Sequence, residues 1–407
     1  MTLITDRYKV RPAVQALAEE LVATRRDLHQ HPELGFEEHR TAALVAERLR
    51  ALGLEVQEKV GRTGVVGLLR GGQAPARHAP TILVRADMDG LPLQEENQVP
   101  YMSQTPATMH ACGHDGHVAI GLGVAKILAG MKDRLPGHVK FCFQPAEEGP
   151  GGAQPMIEDG VLENPKVHAC TGLHLWNVLE VGKIGLRAGP IMACADRFEI
   201  TVEGKGGHGA APHAAIDPIV VSAHVVTALQ SVVSRQTDPL DSVVVSIGAI
   251  HGGKAFNIIP PRVKLDGTLR CLNPELRQGA MEKIDKIASG TCHTFGASCH
   301  FAPDFGYPVT VNDEAMTKLV HDVVVEAMAA DAVVPTQTLG GEDMSYFLQR
   351  VPGCFFFLGS ANAARGLNAS HHSPHFDFDE AALPLGVELL VRTVERWFEK
   401  RIGYAPV

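Results

Sequence analysis

The sequence predicts an α/β protein with a smaller α+β unit inserted into it. Three observations carry this. First, apolar strand-like runs alternate with helical stretches early in the chain: TILVRADMD (Thr81 to Asp89), a helix at about His117 to Met131, HVKFCFQ (His138 to Gln144) and VHACTGLHLW (Val167 to Trp176). Strand, helix, strand in that order builds a sheet with helices on its faces. Second, the character changes after about residue 188, where half-exposed strands and long amphipathic helices replace the buried runs. Third, the α/β pattern resumes from about Tyr307, with a helix at Asp313 to Ala329, the strand CFFFLGS (Cys354 to Ser360) and a last helix at Ala381 to Arg401.

Each element has a local reason. Residues 13 to 53 read as two helices around a break at HPELG, where Pro32 and Gly35 interrupt the helical pattern. TILVRADMD is apolar until it ends in acids, as a buried strand does when it delivers polar groups at its end. RGGQAPARHAP (Arg70 to Pro80) is a surface turn. In the inserted segment, DRFEITVEGKGGHG alternates with period two, DPIVVSAHVVTALQSVVS is a helix, DSVVVSIGAIHGG and VKLDGTLRCL are strands, PELRQGAMEKIDKIASGTC is a second helix and SCHFAPDF a fourth strand. Four strands with two helices form a small α+β sandwich.

At 407 residues the chain is too long for one small core, so two domains are expected. Hydrophobic residues make up 45% and charged residues 20%, the balance of an ordinary soluble protein. The net charge of −9 supplies no basic stripe to displace counterions, which argues against nucleic acid as a partner. No apolar run reaches the roughly 18 to 20 residues of a membrane helix. The start, MTLITDRYKVRPAVQALAEE, lacks a signal-peptide core, so a cytoplasmic location is expected. There, eight scattered cysteines without a CxxC are expected to be thiols, most of them small core residues.

Four short motifs carry metal-type chemistry. MHACGHDGH holds Cys112 and His114, FQPAEEG holds Glu147 and Glu148, TGLHLW holds His174, and SHHSPHFDFDE holds His372. Thiolate and imidazole suit zinc and similar cations. Alone, each motif also has a plain structural reading. Cys112 is a buried thiol beside a helix-capping Asp115, the glutamates are a solvated strand end, and the two histidines are satisfied core residues. On an extended chain Glu147 and Glu148 face opposite sides, so one can bind a cation while the other faces a water. Asp87 and Asp89 can orient ligand histidines. Asp377, Asp379 and Glu380 are best read as a cap on the last helix. CHTFGASCH (Cys292 to His300) has no zinc-site spacing and reads as a helix end and a strand start. What favours chemistry is the conjunction of four metal-compatible sites, all expected at strand ends, where α/β sheets collect ligands.

Together these motifs resemble the amidohydrolase branch of the aminoacylase and zinc-carboxypeptidase family, which includes hippurate hydrolases, auxin-conjugate hydrolases and N-acetyl-diaminopimelate deacetylases. The resemblance runs nearly end to end: RRDLHQHPELGFEE, RADMDGLPL, MHACGHDGH, FQPAEEG, GGHGAAPH, FNIIPPRVKLDGTLR, GGEDMSYFLQ and HHSPHFDFDE. It implies a di-metal exopeptidase-like catalytic domain, a mixed sheet with helices on both faces, over residues 1–188 and 307–407. An α+β lid and dimerisation domain would span 189–306. It implies two divalent ions per subunit, zinc first, with manganese, cobalt or nickel as alternatives. Cys112, His114, Glu148, His174 and His372 would bind them, Cys112 as the bridge.

The resemblance further implies that Glu147 is the general base. His208 would stabilise the tetrahedral oxyanion, from its own chain or a partner subunit. Asn257 and Arg270 would hold the substrate carboxylate, with His213 also on the substrate side. In the broader family a metal histidine stands where Asp87 stands here, and an aspartate stands where Cys112 stands. The amidohydrolase branch shares both departures. The implied activity is hydrolysis of N-acyl amino acids by a homodimer or homotetramer assembled through the lid. A dipeptidase or carboxypeptidase using the same centre is the alternative. An inactive binding protein would be expected had a ligand or Glu147 been missing, and none is.

Overall fold

A computed structural model describes residues 8–75 and 78–402. Met1 to Arg7, within the N-terminal stretch judged to lack a signal core, lie outside the described residues. So do Ala76 and Arg77 of the expected turn at Arg70 to Pro80. The principal elements in chain order are α1 (Ala18–Gln30), α2 (His39–Ala51), β1 (Glu55–Val60), β2 (Gly64–Leu69), β3 (Thr81–Asp87), α3 (His114–Ala129), β4 (His138–Gln144), β5 (Ala169–Glu180), β6 (Ile184–Gly185), β7 (Ala195–Glu203), α4 (Pro218–Gln236), β8 (Val243–Gly252), β9 (Arg262–Cys271), α5 (Pro274–Thr294), β10 (Ser298–Tyr307), α6 (Glu314–Met328), β11 (Val333–Val334), β12 (Gly353–Ala361) and α7 (Ala382–Ile402).

The chain forms two compact units. One comprises the residues up to Gly189, Val311–Gln337 and Tyr346 onward. The other comprises Pro190–Thr310 and Thr338–Ser345. The last stretch joins the second unit through main-chain bonds: Thr338 N–H donates to Ile191 O at 3.0 Å, and Ala193 N–H donates to Gly340 O at 3.0 Å.

The first unit is built on an eight-stranded mixed sheet in the order β1-β2-β4-β3-β5-β12-β6-β11. Its centre is parallel: β3 pairs with β4 and β5, and β5 with β12. Parallel strands are covered on both faces and read as continuous apolar runs. Accordingly Phe355, Phe356 and Phe357 on β12 are all fully buried. Each contributes about 1.5–3 kcal/mol of apolar burial.

The parallel register also places the chemistry. Asp87 at the end of β3 lies opposite Gln144 at the end of β4, and Arg85 lies opposite Gly172 of β5. Two residues beyond that last pair stand Asp87 and His174. The ends of β3 and β4 therefore lie beside the middle of β5, which brings polar groups of three adjacent strands together.

Helix α3 starts three residues before its expected position. Gly113 adopts φ 90°, a left-handed conformation that a side chain would strain, and turns the chain so that His114 opens the helix. Asp115 does not cap it, contrary to the sequence expectation. One of its oxygens accepts the neighbouring Gly116 N–H, and the other is taken by Arg25 and His29. At the last helix the expected cap divides. Asp379 accepts the Ala381 N–H at 3.1 Å, whereas Asp377 and Glu380 pair with arginines of α1.

The second unit holds the four-stranded sheet β8-β9-β7-β10, with α4 and α5 packed on it over a separate apolar core that includes Phe198, Leu265, Val225 and Ile284. Its helices start as the sequence suggests, with Asp217 and Asn273 accepting N–H groups of the first turn and a proline following each. CHTFGASCH spans the end of α5 and the start of β10, as read from sequence. All eight cysteines are free thiols, seven of them buried. Among the described residues, no helix is long and apolar enough to cross a membrane.

Candidate metal centre

His114 defines the centre. Its Nδ1 lies 3.0 Å from the Asp89 carbonyl and 3.2 Å from Asp89 Oδ1, so Nδ1–H is the donor. That leaves Nε2 facing the centre, as the nitrogen that carries a proton without a cation and would offer its lone pair to one. Nε2 is buried without a hydrogen-bond partner among the described residues, with Asp87 Oδ2 at 3.7 Å and Glu148 Oε1 at 3.8 Å. A desolvated imidazole nitrogen facing carboxylates is costly unless a cation fills the space.

Glu147 and Glu148 reach it from a turn, not from an extended strand end. Ala146 stands at φ 52°, its N–H donates to Glu38 Oε1 at 2.8 Å, and its carbonyl accepts Gly151 N–H at 3.0 Å. Glu148 N–H donates to Asp89 Oδ2 at 2.9 Å. The expectation that the two glutamates face opposite sides therefore fails, because alternation applies only to extended backbone. Ligand atoms of His114, Glu147 and Glu148 all lie within 4.8 Å of one another.

His174 lies midway along β5 rather than at its end. Its Nδ1–H donates to Leu175 O at 2.6 Å, and Nε2 stands 3.5 Å from Cys112 Sγ. His372 stands on a loop at φ 62°, anchored by its N–H to Ala111 O at 2.8 Å. Its Nε2 is 3.1 Å from Glu148 Oε1, and its side chain is 55% exposed, so it forms the rim. The idea that all four motifs occupy strand ends holds only for the glutamate turn. Cys112 and His114 open a helix, and His372 is on a loop.

The geometry brings the five candidate ligands together. Cys112, His114 and His174 form one trio; Cys112, Glu148 and His372 form another, each within 4.8 Å. Cys112 is common to both, an arrangement that suits two adjacent cations. The donor set of one thiol, three imidazoles and carboxylates matches soft-to-intermediate divalent ions.

The electrostatics agree. Burial, then Glu148 and Glu147, push the Cys112 thiol well above its ordinary range. Burial opposes a charged His114, yet Asp87, Asp89 and Glu148 prevail and hold it up at about 10. Burial, helped by His117 and His371, pushes His174 far down. Glu148 is held low against burial by His372 and His114. The group is short of positive charge, which a divalent ion supplies.

Sequence reading passed over three contributors. His117, one turn beyond His114, lies near Asp87 and His114. Both its nitrogens are engaged, however: Nε2 accepts the Leu175 N–H at 2.8 Å and Nδ1–H donates to Asp87 at 2.5 Å. It is thus a neutral strut between β3, α3 and β5. Its three-residue spacing from His114 was the available signal. Glu38, buried beneath the glutamate turn, and Arg25 carried no local signal.

The four residues expected from the inserted segment belong to the second unit. His208 ends the short strand Gly207–His208, opposite Ile258, and its Nδ1 accepts the Ala210 N–H at 3.1 Å. Asn257 is drawn beside that hairpin by Gly209 N–H donating to its carbonyl at 2.8 Å. His213 lies in the turn Pro212–Ala214, and it is exposed, like His208 and Asn257. Arg270 is half-buried on β9, with Nη1 donating to Leu269 O at 3.1 Å.

Comparison with known proteins adds the lineage. The model of "Peptidase family M20/M25/M40" matches residues 83–396. Thermostable carboxypeptidase 2 of Saccharolobus solfataricus is 43% identical over 384 residues, covering 93% of this chain and 95% of its own. IAA-amino acid hydrolase ILR1-like 4 of Arabidopsis thaliana is 40% identical, covering 93% and 85%. The crystal structure of a dinuclear metal binding peptidase of the M20 family from Bacillus subtilis superposes with a TM-score of 0.82 at 33% identity, covering 95% of this chain and 99% of that one. A sheet edge that gathers thiol, imidazole and carboxylate donors, and a match spanning most of the chain, lead to one conclusion: this hydrolase belongs to peptidase family M20/M25/M40 and carries a centre for divalent metal ions.

Proposed function

We propose that the protein hydrolyses the amide bond of N-acyl amino acids of the hippurate or N-acetyl type, releasing a carboxylic acid and a free amino acid. The observation that carries this reading is the turn presenting two adjacent glutamates to one unpartnered imidazole nitrogen. One carboxylate can hold a cation while the other moves a proton. The IAA-amino acid hydrolase named above supports an acylated amino acid as substrate.

In this reading Cys112, His114, Glu148, His174 and His372 would hold two divalent ions, Cys112 being the thiol common to both candidate trios. Zinc is the first choice; manganese, cobalt and nickel suit the same donors. When bound, such ions supply Lewis acidity, which acidifies a water and polarises the acyl carbonyl. Glu147 is the general base: it accepts the proton of the attacking water as the new C–O bond forms. As the C–N bond breaks, Glu147 returns that proton to the leaving amine nitrogen. His208 donates to the oxyanion that develops on the acyl oxygen. Asn257 and Arg270 bind the substrate carboxylate, with His213 beside them. The second unit serves as lid and as the surface through which a homodimer or homotetramer forms. The enzyme works in the cytoplasm on a small molecule, without nucleic acid or membrane.

A second reading is a carboxypeptidase or dipeptidase with the same chemistry, favoured by the likeness to the Saccharolobus carboxypeptidase. Turnover of hippurate and N-acetyl amino acids, set against unblocked dipeptides and blocked peptides, separates the two. Higher kcat/KM on the peptides would replace the first reading, and full activity in metal-free protein would overturn both.

A further inference from the structure

The motif RRDLHQHPELGFEE has no part in the mechanism above, yet its first arginine is among the most enclosed side chains of the molecule. Arg25 is fully buried on α1. Its Nε–H donates to Asp115 Oδ2 at 2.8 Å, its Nη2–H to Asp377 Oδ1 at 2.8 Å, and its Nη1 lies 3.3 Å from Glu380. The guanidinium is stacked over Phe378 at 4.4 Å and Tyr101 at 5.0 Å, and the Tyr101 hydroxyl donates to the other oxygen of Asp377 at 2.8 Å.

The partners matter because of what adjoins them. Asp115 directly follows His114. Asp377 lies five residues beyond His372 on the same loop. The Asp377 carbonyl accepts the Asn177 side-chain N–H at 2.7 Å, and Asn177 is three residues beyond His174 on β5. A single cation therefore joins two of the segments that carry the candidate histidine ligands, those of His114 and His372, and Asn177 ties the His174 strand to the second of them. A planar guanidinium can bridge two carboxylates from different nitrogens, whereas an ammonium offers only one point of charge.

We propose that Arg25 is a positioning residue for the metal centre. It locks the start of α3 to the loop of His372, so that the imidazoles of His114 and His372 are held ready before a cation arrives. This rests on the five-ligand reading given above. A merely structural arginine would add stability without altering how tightly the centre takes a cation.

The contrast case is Arg11, whose guanidinium pairs with Glu388 at 3.0 Å and Glu395 at 2.8 Å on α7, remote in sequence from every ligand segment. The test compares Arg25→Lys, Asp377→Asn and Arg11→Lys with the parent as full-length proteins stripped of metal. Each is titrated with Co2+ against a competing chelator, following the thiolate-to-cobalt charge-transfer band at Cys112, and the thermal midpoint of each apo protein is measured alongside. Arg25→Lys and Asp377→Asn are expected to lose about 10- to 100-fold in cobalt affinity, and Arg11→Lys to keep parental affinity whatever its thermal midpoint. Parental affinity in both Arg25→Lys and Asp377→Asn overturns the proposal. So does an equal affinity loss in Arg11→Lys, or loss of the apo fold in both Arg25→Lys and Asp377→Asn. A parent protein that takes up no cobalt would instead refute the metal-centre reading itself.

Discussion

The two units hold their candidate residues in opposite ways. In the first, four of the five ligand candidates are gripped from behind: His114 by Asp89, His174 by the Leu175 carbonyl, Glu148 by its own N–H on Asp89, and His372 by Ala111. In the second, His208, His213 and Asn257 are solvent-exposed, and the side chain of His208 is oriented by one local N–H. A cation site must be assembled before its ion binds, because an unpaired buried imidazole or carboxylate is costly. A group that meets a substrate must stay accessible until the substrate comes.

The sharpest way to break this contrast is Glu147→Gln. The variant is expected to keep its complement of divalent ions by elemental analysis yet lose roughly 10²- to 10⁴-fold in kcat. Substantial residual turnover removes Glu147 from the base role. Next in size is His208→Ala, expected to lower kcat about 10²- to 10³-fold with metal content unchanged. If metal content falls as well, the division of labour between the units is wrong. Arg270→Ala is expected to raise KM about 10-fold or more with a smaller change in kcat, the mark of lost binding shared by ground and transition states. A neutral amide analogue of the substrate should not feel that substitution.

The smallest expected effect concerns His29, whose nitrogens lie 2.7 Å from Asp115 and 3.2 Å from Glu95. Burial and Arg25 disfavour its charged form, but the two carboxylates prevail and its pKa is raised. The stability it contributes is therefore fully present below the unfolded value of about 6.5. It is lost as pH rises through the higher folded value. Urea midpoints of metal-free parent and His29→Gln should converge as pH rises through that window. A gap that widens toward alkaline pH would contradict the assignment.

How legible each part was depended on the range of the forces behind it. Strand β4 appeared at its expected residues because a run buried on both faces is mostly apolar, as Val139, Phe141, Cys142 and Phe143 are. The start of α3 was misplaced because a single left-handed glycine, not periodicity, decided it. The glutamate turn was read as extended because its cause is Glu38, more than a hundred residues away, accepting the Ala146 N–H. Asp115 and Asp377 were read as helix caps because in sequence an aspartate at a helix start looks local, while the arginine they bind is remote.

By itself, the sequence determined the two-part architecture, the α/β character of the outer segments and the identities of the residues able to hold cations. Those follow from side-chain chemistry and short-range periodicity, which a linear chain displays openly. Only the tertiary structure decided which imidazole nitrogen faces the centre, that two neighbouring glutamates point the same way, and that one buried arginine joins two ligand-bearing segments. Hydrogen-bond direction and buried charge pairing depend on groups that meet only when distant parts of the chain pack together.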